Sequence, residues 1–405
     1  MTQANHKGGQ VSVGDEGLIF DVEGEVVERY AAGAEEMEVA LCCPTSYDPQ
    51  FLKVIPHEIL ERDYGCGDPS QWVKEGDVVL DLGSGGGKIC YILSQKVGKD
   101  GRVIGVDMND TMLRLARGHQ KDIAEKIGWD NVDFRKGKIQ DLGLDLEKVD
   151  SWLRENPVDG LSGLQKYEKE AERLRKEEVM VGDAEVDVIV SNCVLNLVKP
   201  EDKRQLFEEM YRVLKRGGRA VISDIVCDEK PTEKIMNDPK LWSGCISGAF
   251  LEEEFLTMFE DAGFYGVEIL SYGEEPWQTI DGVEFRSMTV RAWKGKDGSC
   301  MERNQAVMYK GPWKKVVDDD GHTLVRGKRM SVCDKTFKIL TNKDGPYGGD
   351  MIGVEPLEAV ALEEAKPFNC KSHAVRHPRE TKGMDYNATQ LGDGDACCDP
   401  STGCC

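Results

Sequence analysis

The chain has 405 residues, enough for two or three domains of roughly 150 residues each and for a large core. Its 52 basic and 74 acidic residues leave a net charge of −22, which disfavours nucleic acid and anionic membrane as partners. No apolar run approaches the ~20 residues of a membrane span, and Met1 to Gln10 lack the apolar stretch of a secretory signal, so a cytoplasmic location is expected. Fourteen cysteines in such a chain point to metal binding or thiol chemistry rather than to a disulfide scaffold. The competing account of any one of them is a small buried hydrophobe.

In chain order, residues 1–76 form an N-terminal segment that carries thiols and a short helical stretch around Val26 to Tyr30. From Asp77 to Trp293 strands and helices alternate. Strands are expected at 78–82, 103–106, 132–134, 186–190 and 220–225, with helices at 89–97, 111–119 and 201–214. This rhythm argues for a parallel sheet covered by helices on both faces. Residues 267–270 and 285–292 are two more strands, joined by an irregular loop at 271–284 with no room for a helix, and so are expected to form an antiparallel hairpin. Residues 142–183 read as a charged helical insertion whose apolar face includes Trp152, Leu153, Tyr167 and Leu174. Beyond Lys294 short strands at 307–309, 315–317, 323–325 and 330–332 mark a small β-rich domain over 294–380. Asp319, Asp320 and Gly321 make a turn between two of them. Residues 381–405 are a polar, Cys-rich tail expected to be flexible.

The first strand of the 77–293 domain runs into Asp81-Leu82-Gly83-Ser84-Gly85-Gly86-Gly87, where glycines let the backbone approach a ligand and turn into a helix. The dinucleotide fingerprint started at Gly83 needs a glycine where Lys88 stands, and a P-loop needs Ser or Thr where Ile89 stands. The pattern instead resembles motif I of class I methyltransferases. A doubly wound, mostly parallel seven-stranded α/β sheet ending in an antiparallel hairpin resembles the same fold class. Asp107 ends the second strand, where a carboxylate can accept both hydroxyls of a ribose. Met108 is placed to pack on adenine, Ile139 and Gln140 follow the third strand, and Asn192 stands at the carboxyl edge of the fourth. The cofactor implied is S-adenosylmethionine, bound by Asp81, Gly83, Ser84, Gly85, Gly87, Asp107, Met108, Ile139, Gln140 and Asn192.

Three cysteines stand next to strand ends. Cys66 lies in Tyr64-Gly65-Cys66-Gly67, Cys193 in Ser191-Asn192-Cys193-Val194-Leu195-Asn196-Leu197, and Cys245 in Gly244-Cys245-Ile246-Ser247-Gly248. These strings resemble those of the arsenite S-adenosylmethionine methyltransferases over roughly residues 26–290. The resemblance implies that Cys66, Cys193 and Cys245 hold trivalent arsenic, as arsenite or methylarsenite. It also implies a fourth, N-terminal relay cysteine, for which Cys43 and its neighbour Cys42 are the candidates, and a thiol reductant such as glutathione or thioredoxin. The chemistry agrees, because arsenic(III) is thiophilic and soft thiolates select soft centres. Three sulfurs leave arsenic a lone pair that attacks a sulfonium methyl without a protein base, so catalysis becomes proximity and alignment.

Cys397, Cys398, Cys404 and Cys405 in the tail look like a capture device for soft ions. Cys90 and Cys227 are expected to be structural. A zinc site from Cys333, Cys370, His373 and His377 has spacing too long for a compact zinc finger, and buried structural cysteines are the preferred reading. Two rival functions remain at this level: a methyltransferase for another metalloid or a small thiol, and a metalloid-sequestering protein.

Overall fold

The computed structural model describes residues 21–35, 45–62, 64–371 and 374–382. The chain divides into two compact units, 1–295 and 296–405. The first unit is built on strands β1 (Val78–Leu82), β2 (Arg102–Asp107), β3 (Val132–Lys136), β4 (Val186–Asn192), β5 (Leu214–Cys227), β6 (Phe250–Leu251), β7 (Tyr265–Tyr272), β8 (Gln278–Ile280) and β9 (Val283–Trp293). Their order across the sheet is β3-β2-β1-β4-β5-β9-β7, with β6 paired to β5 and β8 paired to β9. β1 to β5 run parallel, and β9 is antiparallel to both β5 and β7. This is the class I methyltransferase arrangement that the strand rhythm implied. The loop at 271–284 holds one strand more than expected, β8, whose three residues are too few to show alternation.

β1 explains why the sheet is covered on both sides. Leu80 and Leu82 join one buried cluster with Ile104, Ile189, Phe207 and Phe259, while Val79 joins a second with Ile92, Leu93, Val103 and Val188. Alternate residues of a strand point to opposite faces, so a near-continuous apolar run serves two layers. The helix Lys88–Val97 supplies Ile92 and Leu93 to the second layer, and the helix Pro200–Val213 supplies Leu206, Phe207 and Met210 to the first. The insertion folds as two helices, Leu146–Glu155 and Leu161–Glu177, which bury Val149, Ala171 and Leu174. The second helix carries ion pairs from Arg173 to Glu170, Glu177 and Glu178, as a solvated face should. No helix among the described residues is long and apolar enough to cross a membrane.

In the second unit the strand Ala306–Tyr309 lies between Arg329–Ser331 and Met351–Val354, both antiparallel to it. Lys315–Val317 pairs with Thr323–Val325, and Met301–Glu302 with Lys366–Pro367. The helix Asp334–Thr341 places Phe337 and Leu340 on a core with Val307, Leu324 and Met330. Strand 351–354 and this helix were absent from the sequence reading. Each is too short for its period to stand out.

Phe207 is fully buried, with its ring edge-on to Phe250 and Phe259 at 6.0 and 4.8 Å between centroids. Phe207→Ala is expected to destabilise the first unit by about 3–5 kcal/mol. Urea denaturation followed by tryptophan fluorescence measures it; a loss under about 1 kcal/mol would mean that this cluster does not anchor the helix.

Candidate active site

The order of the strands reverses at β1 and β4, so the loops leaving their carboxyl ends diverge and open a crevice. On the β1 side, the amides of Gly83 and Ser84 donate to the Val106 carbonyl of β2 at 2.8 and 3.0 Å. Gly83 has φ +71°, and a Cβ there would stand 2.4 Å from the Val194 side chain on the β4 loop. Only glycine meets both demands. Gly87 caps the helix Lys88–Val97. Asp107 accepts the amides of Gly85 and Asn109, each at 2.8 Å, which fixes its carboxylate over the glycine loop. Burial pushes its carboxyl above the usual value, against the pull of the amides of Asn109, Gly85 and Met108.

A cavity of about 1090 Å³, open to solvent, follows this loop. Asp81, Gly83, Ser84, Gly85, Asp107, Met108, Ile139, Gln140, Asn192 and Cys193 line it. Gly87 is not among its lining residues. Sequence reasoning missed the cover. Glu23, Val26, Val27 and Tyr30 of the helix Val22–Glu35 also line the cavity. That helix is tied down by an ion pair of Glu23 with Lys138 at 2.7 Å and by Asn109 donating to the Val27 carbonyl at 3.0 Å. The apolar spacing of Val22, Val26 and Tyr30 was the available signal for a buried helix face.

The thiols meet at the same edge. The Tyr64–Gly67 turn reaches β4 through Asn192, whose Oδ1 accepts the amides of Cys66 and Gly67 at 2.8 and 3.0 Å. Its Nδ2 donates to the Gly67 carbonyl at 2.8 Å and to the Tyr47 hydroxyl at 2.9 Å. Asn192, expected at the cofactor, thus lines the cavity while its amide holds the Cys66 turn. A Cβ on Gly65 would fall 2.1 Å from that amide, so the glycine beside Cys66 permits the approach. Cys193 and Cys245 are two of only five non-glycine residues with positive φ among the described residues, at +65° and +62°. Such backbone is uncommon outside glycine and concentrates at functional sites. The Cys245 thiol donates to the Cys193 carbonyl at 3.1 Å. Cys245 does not directly follow β5; it stands after the short helix Pro239–Ser243.

The Sγ atoms of Cys66 and Cys193 and a carboxylate oxygen of Asp224 all lie within 4.8 Å of one another. Cys245 is not in that set, although it packs in the same buried cluster as Cys66 and Cys193. Asp224 was not anticipated; nothing in its strand sequence distinguishes it. Burial pushes its carboxyl up to about 6, opposed by the amides of Ile225, Leu195 and Asn196 and by the Lys203 charge. The Tyr30 hydroxyl lies 3.9 Å from the Cys245 sulfur and is raised by burial, then by the charges of Cys245 and Cys193. Cys90 donates to Asp81 at 3.2 Å and Cys227 to the Phe250 carbonyl at 3.3 Å. Both are buried, and burial holds both thiols up, Cys227 at about 12, which suits structural thiols. Cys42, Cys43 and the four tail cysteines lie outside the described residues.

Residues 73–181 and 176–263 match a family model described as a methyltransferase domain. The arsenite methyltransferase of Aquipseudomonas alcaligenes is 31% identical over 325 residues, covering 76% of this chain and 83% of that protein. The chain belongs to the arsenite methyltransferase family. The human arsenite methyltransferase is 30% identical over 304 residues, covering 72% of each chain. The crystal structure of an arsenic(III) S-adenosylmethionine methyltransferase from Chlamydomonas reinhardtii matches 81% of this chain and 100% of its own, at 25% identity and a TM-score of 0.51. Residues 296–386 match a family described as a domain of unknown function. As a family member with a class I fold, the chain is an S-adenosylmethionine-dependent methyltransferase. The cavity fits that cofactor: the Ser84 hydroxyl is buried there with no hydrogen-bond partner among the described residues, beside a loop stripped of side chains.

Asp107→Ala is expected to weaken S-adenosylmethionine binding about ten- to a hundredfold, the worth of a charged hydrogen bond of roughly 1.5–3 kcal/mol. Calorimetry reads it, and unchanged affinity would count against Asp107 as the ribose acceptor.

Asp224 gives a pH-dependent stability. An unfolded aspartate titrates near ~3.9, whereas the buried one titrates at about 6. The native state therefore holds the extra proton between these values, and the contribution is lost as pH rises through the window. Relative to Asp224→Asn, the parent protein should lose about 2 kcal/mol between pH 4 and 6. Denaturation midpoints of both proteins across that range provide the check, and parallel curves would contradict the buried carboxyl.

Proposed function

We propose that the chain transfers methyl groups from S-adenosylmethionine to trivalent arsenic held by Cys66, Cys193 and Cys245. The observation that supports this most is the meeting of the Cys66 and Cys193 sulfurs, from distant segments, beside the glycine-loop cavity. Arsenite and methylarsenite are the substrates of this reading. The rival acceptors, organic thiols and other metalloids, have no observation in their favour over arsenic.

When bound, the cofactor supplies an electrophilic methyl on a sulfonium. Asp107, already oriented by Gly85 and Asn109, accepts the ribose hydroxyls, while Met108, Ile139 and Val27 give apolar walls. Cys193 and Cys245 hold arsenic from fixed backbone, and Cys66 completes the set from its clamped turn. The bound cofactor would supply its methyl to the arsenic lone pair, forming an As–C bond in place of the S–C bond and leaving that electron pair on its sulfur. Arsenic is thereby oxidised by two electrons, and a thiol pair restores the trivalent state by forming a disulfide. Cys43 or Cys42 is the proposed relay thiol, with glutathione or thioredoxin as the external reductant. A reducing, cytoplasmic setting belongs to this reading, because the thiols must stay reduced to hold arsenic(III).

The decisive experiment incubates purified protein with arsenite, S-adenosylmethionine and thiol, then identifies arsenic species by mass spectrometry. Methylated arsenicals with S-adenosylhomocysteine are expected; cofactor consumed only with a different acceptor would overturn the reading. Cys193→Ser and Cys245→Ser should each lower arsenite methylation by roughly a hundredfold or more, since a hydroxyl is too hard to replace a thiolate and misplacement alone costs that much. Cys66→Ser should do so for arsenite but spare methylarsenite, which needs two thiolates. The Cys245 thiol donating to the Cys193 carbonyl supports these two as that pair, whereas Cys66 reaches the site on a separate turn. Equal, small effects of all three on both substrates would sink the thiolate site.

A further inference from the structure

In the second unit three cysteines from distant segments converge. Cys300 directly precedes the strand Met301–Glu302, and Cys370 follows the strand Lys366–Pro367. The antiparallel pairing of these strands, extended by the Phe368 amide donating to the Cys300 carbonyl at 2.8 Å, brings the two together. Cys333 arrives from elsewhere, as the N-cap of the helix Asp334–Thr341. All three Sγ atoms lie within 4.8 Å of one another, and none is in a disulfide. Cys333 is buried at the bottom, while Cys300 and Cys370 are half-buried and leave the group accessible. Among the described residues no fourth Cys, His, Asp or Glu joins them at that distance. The reading of these as buried structural cysteines did not anticipate this convergence. The zinc alternative named Cys333 and Cys370, overlooked Cys300, and included His377, which does not join the group, and His373, which lies outside the described residues.

We propose that Cys300, Cys333 and Cys370 form a second site for trivalent arsenic, separate from the methyl-transfer centre; the identity of the ion rests on the arsenic reading above. A structural zinc site is closed by four ligands, whereas arsenic(III) is satisfied by three sulfurs and keeps a lone pair in the fourth direction. Among the described residues, three thiols without a fourth ligand match the second case. Binding is a ligand exchange without redox change. Three As–O bonds of arsenous acid break, three As–S bonds form, and the three thiol protons leave with the hydroxides as three waters. The Thr336 amide donates to the Cys333 sulfur at 3.4 Å and the Thr336 hydroxyl lies 3.2 Å from it, so the first turn of the helix holds this sulfur in place.

The test uses the full chain with sodium arsenite, freed of excess by gel filtration, and counts arsenic per chain by elemental mass spectrometry. Cys300→Ser and Cys370→Ser, both at half-exposed positions, are compared with the parent, with thermal melts to confirm folding. The expected result is one arsenic fewer per chain in each variant, and an unchanged rate of arsenite methylation at saturation. The same loss should appear when the two substitutions are placed in a Cys193→Ser background. Should methylation fail in the parent while the stoichiometry still falls by one, the catalytic reading is lost and this site stands. An unchanged arsenic count in both variants overturns the proposal. So does one equivalent of zinc in the purified parent that arsenite does not displace and that both variants lack.

Discussion

β1 is hydrogen-bonded to β2 on one side and to β4 on the other, all three parallel, and the chain winds away from it in opposite senses. The loop after β1 and the loop after β4 must therefore separate at the carboxyl edge, and the crevice between them is the site. The two loops still touch at their roots, where Gly83 lies against Val194 with no room for a side chain. That contact sets Cys193 directly beside the glycine loop. Asp107 and Cys193 line one cavity because the sheet reverses there, and not because they are close in sequence.

Positioning at this edge is done by backbone more than by side-chain choice. Cys193 and Cys245 sit in left-handed conformations that surrounding hydrogen bonds impose: the Cys193 amide donates to Ser223, and Asn196 donates to the carbonyls of Ile225 and Cys245. Asn192 serves both partners of a single amide group to hold the Cys66 turn. Asp224 accepts amides of the β4 loop while lying next to two thiols. The proposed reaction depends on alignment, with no proton to remove from the nucleophile, and groups directed before the substrate arrives would serve it. The helix Val22–Glu35 closes the arrangement, with Tyr30 reaching the Cys245 sulfur and Arg29 donating to Ser243 at 3.0 Å.

The second unit uses the same means on a different scaffold. A two-stranded ribbon and a helix N-terminus, neither large, bring together sulfurs from three places in the sequence. In the first unit the thiols share their space with a buried carboxylate, and in the second with backbone amide and hydroxyl donors, so the electrostatic settings differ. Both keep thiols apart from disulfide pairing.

The sequence by itself determined the sheet and the nucleotide loop, and the family resemblance named Cys66, Cys193 and Cys245 together. Apolar runs such as 78–82 specify buried strands through local period, and Gly83 to Gly87 and Asp107 carry their chemistry at fixed spacing along one βαβ unit. The Ser-Asn-Cys-Val-Leu-Asn-Leu string carried the family resemblance. Only the tertiary structure decided what Asn192 holds, that Asp224 stands among the thiols, that residues 22–35 cover the cavity, and that Cys300 joins Cys333 and Cys370. Each of these is a meeting of segments far apart in the chain. Local propensity and periodicity constrain neighbours within a few residues, whereas these contacts follow from strand pairing and register, which no single segment contains.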